Sequence, residues 1–115
     1  MRELTNFVFF KNADVAGASG IAYNSGGDAL GVQVSGTFTG LSLEVQGRVD
    51  VADETNNNFV TLSVLDMTTF DVGGEITKAG VYEVPVETQK QVRLVIKSIA
   101  SGSVQVFGRF VNTAG

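Results

Sequence analysis

The sequence predicts an all-β fold: a two-sheet antiparallel β-sandwich, jelly-roll-like, with seven to eight strands. Three observations carry this. Apolar and polar residues alternate with period two over several separate stretches, the pattern of a half-buried strand. Fourteen Gly in 115 residues punctuate those stretches, as tight connections between short strands require. No segment carries the three-to-four-residue apolar spacing of a helix longer than one turn.

The clearest alternation lies in the second half. Val92, Leu94 and Ile96 share one face of an extended segment, with Arg93 and Lys97 on the other, and Val104, Val106 and Phe110 repeat the pattern after Ser101-Gly102. Alternation, a turn and renewed alternation predict a β-hairpin. Val81 to Val86 reads as the preceding strand, and Pro85, which cannot donate to a ladder, places that strand at an edge or a bulge.

Leu4 to Phe10 opens the chain with strong strand formers. Phe7, Val8, Phe9 and Phe10 in succession make a strand apolar on both faces, which needs either central burial or cover from a neighbouring subunit. Asn12 to Asp28 is rich in small residues and holds one short strand around Ile21-Ala22-Tyr23. A loop of this composition is entropically costly to order unless something pins it. The expected organisation is therefore an N-terminal strand with a flexible excursion over residues 1–28, and a sandwich domain over 29–115. In the sandwich, Leu30, Val32 and Val34 alternate, and Leu41, Leu43, Val45 and Val49 share a face against Ser42, Glu44, Gln46, Arg48 and Asp50. Gly47 on that apolar face signals a bulge or a close approach. Val60, Leu62 and Val64 continue the core after a polar loop, and the expected interior is Leu43, Val45, Val60, Leu62, Val64, Leu94, Ile96, Val104 and Val106.

Composition narrows the chemistry. The chain has no Cys and no His, which removes disulfides, thiolate metal sites and the commonest general base and metal ligand. Its acids sit on separate loops and strand ends, so the expectation is no enzyme and no catalytic residue. Asp50, Asp53, Glu54 and Asn56 offer oxygen atoms to a hard cation, but without the D-x-D-x-D-G spacing or a central Gly. Neither metal nor cofactor is expected. Net charge is −4 with dispersed Lys and Arg, so a nucleic-acid partner is not expected. No run approaches the roughly 20 apolar residues of a membrane-spanning helix, and no secretion signal is visible. With no Trp and only Tyr23 and Tyr82 as Tyr, a sugar platform is not prominent, although Phe70 is a candidate exposed ring.

The turn-and-strand pattern also resembles a family. Ser35-Gly36-Thr37-Phe38-Thr39-Gly40 running into Leu43 to Asp50, then Ala79-Gly80-Val81-Tyr82-Glu83-Val84, Val92 to Ile96 and Ser101-Gly102-Ser103-Val104-Gln105-Val106 are similar to small β-sandwich virion proteins of tailed bacteriophages. The similarity covers roughly residues 30–111 and takes the first of these stretches as an opening hairpin. Many such domains read Asp-Gly-Thr-x-Trp after that hairpin; here Asp53 to Asn58 fills the place, and Phe59 stands where the Trp would be.

The resemblance implies a non-enzymatic virion structural protein, foremost a capsid decoration (cement) or head-fibre protein that binds the shell and its own copies. The alternative is a tail- or baseplate-associated domain that recognises a host surface glycan. Implied partners are phage capsid or tail proteins and further copies of the chain, with a homotrimer expected. The expected location is the virion, after assembly in the host cytoplasm. Outside the stretch the resemblance covers, the residues leave two readings of the N-terminus: Leu4 to Phe10 as an ordinary core strand, or residues 1–28 as an attachment arm with Phe7, Val8, Phe9, Phe10 and Tyr23 as the expected interface residues.

Overall fold

The structure, a computed structural model, describes residues 2–49 and 58–113. Two antiparallel sheets pack face to face, as the alternation predicts. The first contains β1 (Arg2–Ala13), β4 (Ala29–Thr39), β7 (Val64–Asp66), β8 (Val72–Gly73), β9 (Gly80–Pro85) and β11 (Ser101–Asn112), ordered β1-β11-β4-β9-β7-β8. The second contains β2 (Gly17–Ala18), β5 (Ser42–Arg48), β6 (Val60–Thr61) and β10 (Gln91–Ser98), ordered β2-β10-β5-β6, with β3 (Ala22–Tyr23) also pairing to β10. Seven strands of three residues or more form the frame among the described residues; β2, β3, β6 and β8 are two-residue pieces.

The core is the expected one in most positions. Leu43, Val45, Leu94, Val104 and Val106 are fully buried and Ile96 and Val64 nearly so, together with Leu30, Val84 and Phe110. Three positions depart from strict alternation. Val60 is 59% exposed and Val49 62% exposed. Leu62 is half-buried, with its Cδ1 beside the backbone of Gly47. β5 ends at Arg48, so Val49 has already left the sheet, and β6 is the outermost strand of its sheet, where little of the opposite sheet remains to cover Val60. Gly47 is buried because Gln89 and Leu62 occupy the space of a side chain, which is the close approach its position signals.

Neither expected hairpin forms. β10 pairs with β5, β2 and β3, while β11 pairs with β1 and β4, so the link through Ile99 and Ala100 carries the chain from one sheet to the other. The supposed opening hairpin is likewise an arch, from β4 in the first sheet to β5 in the second. The two arches stack. Ala100 N donates to Thr39 O at 2.9 Å, and the Thr39 and Ser101 hydroxyls lie 2.6 Å apart. Gly102 sits at φ 85°, and a side chain there would collide with Thr37 O, so glycine is what lets the paired strands β4 and β11 run on into the corner.

The N-terminal strand is part of the sandwich rather than a segment apart. β1 pairs with β11 from Arg2↔Asn112 to Ala13↔Val104, with register shifts that include one between Val8 and Phe10. That bulge turns consecutive Phe residues the same way. Phe9 is buried, Phe7 and Phe10 pack half-buried against the core, and only Val8 faces solvent. The Phe7 and Phe9 rings lie 4.8 Å apart, and Gly108 leaves the room that the Phe9 ring fills. The apolar run thus needs no neighbouring subunit to cover it. The excursion that follows is pinned to β10 and to the link that leads into it. Ser19 N donates to Leu94 O at 2.8 Å, Leu94 N donates to Ser19 Oγ at 2.9 Å, and Asn24 Nδ2 donates to Val86 O at 2.9 Å and Gln89 O at 3.1 Å.

Candidate interaction surface

The two outer faces of the sandwich differ. On the second sheet, Arg48 and Gln91 are buried although they point away from the core. Arg48 Nε donates to Gln91 Oε1 at 2.6 Å and Nη1 to Asn58 Oδ1 at 3.2 Å. The Phe59 ring lies against both Arg48 and Arg93, whose guanidinium carbons are 4.5 Å and 4.2 Å from its centroid. Phe59 thus acts as an aromatic cover over two cations, a favourable arrangement for a ring quadrupole. The Asp50 to Asn56 oxygen atoms considered for a cation lie outside the described residues. Among the described residues no group of three or more carboxylates is placed to hold a metal ion.

The first sheet leaves its outer face open. Odd-numbered residues of β4, β9 and β11 point outward, and the register sets them in rows. Phe107, Gln33 and Val81 form one row, with Val8 beside Phe107 and Met67, whose N–H donates to Val81 O at 3.0 Å, beyond Val81. Arg109, Gly31 and Glu83 form the next, flanked by Asn6 and Leu65. Val8, Val81, Phe107 and Met67 are 55%, 49%, 39% and 38% exposed, an apolar band interrupted at the central strand β4 by Gln33. Because Gly31 has no side chain, the band borders a hollow of ≈ 520 Å³ between Val8, Phe107, Gln33, Val81 and Arg109. Exposed apolar side chains gathered on one sheet face among polar groups are a mark of a binding surface.

Of the expected interface residues, the structure places only Val8 on this face. Phe7, Phe9 and Phe10 face the core, and Tyr23, 57% exposed, is on β3 beside the second sheet. Phe107, Val81, Gln33, Arg109 and Glu83 were legible only as polar-side positions of their strands; the signal in the sequence was the pair of apolar residues, Val81 and Phe107, on the wrong side of the alternation. Phe70 is 70% exposed, as its polar neighbours suggest, and it sits at φ 64° in a loop braced by Asp66, which accepts from Thr68 N at 2.8 Å.

Two ionisable groups are perturbed nearby. Burial, followed by the charge of Asp66, pushes the Tyr82 hydroxyl above its ordinary value, against the hydrogen bond it donates to Lys78 O at 2.7 Å. The Thr113 hydroxyl and then the Thr113 N–H hold the Asp28 carboxylate below its ordinary value, at 2.5 Å and 3.0 Å. Both are structural ties. Neither pairs with a nucleophile.

Architecture of this kind, two antiparallel sheets joined by stacked arches, defines the class: an all-β sandwich. Within it, the chain shares its fold with two solved structures. SPBc2 prophage-derived protein YomS superposes with a TM-score of 0.80 at 22% identity, over 94% of this chain and 92% of that one. PBSX exported protein XepA superposes with a TM-score of 0.82 at 20% identity, over 92% of this chain but 37% of that one. No protein-family model and no curated protein matches the chain.

Proposed function

We propose that the chain is a non-enzymatic structural protein of a phage or prophage particle, and more specifically a capsid decoration or head-fibre protein that binds the shell and its own copies. The observation that carries this reading is the fold shared almost end to end with a prophage-derived protein. The turn-and-strand pattern over roughly residues 30–111, which resembles virion proteins of tailed bacteriophages, supports the same reading. The open face of the first sheet supplies the apolar surface that such binding buries. The test is fractionation of particles from the phage or induced lysogen that encodes the chain. With an antibody to the chain, the protein is expected to co-sediment with particles, at a copy number set by shell symmetry. Its presence only in the soluble or extracellular fraction would overturn the reading.

One observation favours the tail- or baseplate-associated, glycan-recognising alternative. Phe107, Gln33 and Asn6 line the same hollow, an aromatic residue beside two whose amides both donate and accept. Immunogold labelling separates the two, because label on the tail rather than the head selects this second role.

A further inference from the structure

We propose that the open face of the six-stranded sheet is a self-association surface, on which a second copy of this chain docks face to face about a two-fold axis running along β4. This inference concerns the chain's own pairing and does not rest on the particle reading.

The argument is one of self-complementarity. Sheets that pack on one another lie about 10 Å apart and cross at about 30°. A two-fold axis lying in the interface along β4 carries each residue to the same height on the opposite side of that strand. The residue on β11 then faces the partner's residue on β9, and the reverse holds by symmetry. The register supplies matched chemistry at each height. Arg109 and Glu83 both pair with Gly31, so the axis sets a cation against a carboxylate twice over. Phe107 and Val81 both pair with Gln33, so a ring meets a branched aliphatic side chain twice. Gln33 meets its own counterpart, and two side-chain amides can donate to and accept from each other. Gly31 also meets its counterpart, and the absence of side chains there lets the two faces close. Further out, Val8 on β1 is set opposite the Met67 end of β7.

Residues one strand from the axis stand about 4.8 Å from it, and a 30° crossing displaces them by roughly 2.5 Å, within reach of Arg and Glu side chains. Gln33 would lie on the axis with the apolar side chains to either side of it and the charges in the adjoining row. A threefold arrangement joins two different patches and does not use this internal match. The two-fold pair therefore departs from the trimer expected from the sequence.

Sedimentation equilibrium of the full chain provides the test. The expected result is a mass of two chains at tens of micromolar. Arg109→Glu and Glu83→Arg should each weaken association by at least about tenfold, because each places like charges opposite one another, and the double variant should recover it. Phe107→Asp should give a monomer with an unchanged circular-dichroism spectrum, since the side chain lies on the outer face, and its melt should no longer depend on protein concentration. A second measurement needs no weakened variant. Gln33→Cys introduces the sole thiol into a chain without Cys, and a short bis-maleimide should link two chains there but not at a Thr61→Cys control on the other sheet. A monomeric or trimeric wild type, failure of the charge-swapped double variant to recover, or equal crosslinking at both positions would each overturn the proposal.

Discussion

Asp28 ties three parts of the chain together. Its N–H donates to Val111 O at 2.9 Å, its carbonyl accepts from Val86 N at 3.1 Å, and its carboxylate accepts from the Thr113 N–H and hydroxyl. Hydrogen bonds to the ionised form hold its pKa below 3.8 in the folded chain. A depressed folded value means the carboxylate stabilises the fold fully above the unfolded pKa, and that contribution is lost as pH falls from about 3.8 through the folded value. Carboxyl chemical shifts should show Asp28 titrating below 3.8, and Thr113→Val should move the midpoint upward by removing the larger of the two donors. A midpoint already at the ordinary value in the wild type would refute the tie. Leu94 tests the core at the same scale. It is fully buried, and Leu94→Ala should cost about 2–5 kcal/mol in urea unfolding, against roughly 0.5 kcal/mol or less for a surface site. Alternation made Leu94 readable because its two neighbours, Arg93 and Val95, are on the other face. Arg48 was not readable in this way. Its burial comes from Phe59, eleven positions later, stacking across it, and no local period encodes that contact.

At the scale of elements, the strands were legible and their partners were not. A hairpin and an arch both read as two alternating strands around a Gly-containing turn. They differ in whether the chain rotates at the turn so that the second strand's apolar face looks back at the first from the opposite sheet. Ser101-Gly102 carries no mark of that rotation. What fixes it is the matching arch at Thr39-Gly40, whose backbone accepts from Ala100 N. Gly102→Ala tests this directly. The added Cβ would collide with Thr37 O and the residue would be held at positive φ, so a loss of more than about 1 kcal/mol is expected in urea unfolding. A neutral effect would mean the corner is looser than its geometry. The Phe7-Val8-Phe9-Phe10 run left central burial and cover by a neighbour both open for a related reason, and the structure takes the first. Period two assumes a regular strand, and a single bulge reverses the face of every residue beyond it.

Across the whole molecule, the first 28 residues bind the two sheets to each other. β1 covers the edge of β11, the Phe9 ring fills the space over Gly108, and the excursion then crosses to line β10 through Ser19, Ala22 and Asn24. Composition suggested a tether here because Gly, Ala and Ser carry little packing information. The partners of Ser19 (Leu94) and of Asn24 (Lys90 and Val86) come from the far end of the sequence and leave no local trace. The consequence is a prediction opposite to that of a detachable arm. A chain beginning at Ala29 would expose Phe110 and Val106 and leave both β11 and β10 as unpaired edges. It should lack a cooperative thermal transition and lose its dispersed amide spectrum. If β1 and the excursion act through pairing and burial alone, a synthetic peptide of residues 1–28 added in trans should restore the spectrum in proportion to its concentration, as strand addition to a sheet edge does. A truncated chain that melts cooperatively without the peptide would show that residues 29–115 fold by themselves, and would return the N-terminal strand to the role of an attachment arm.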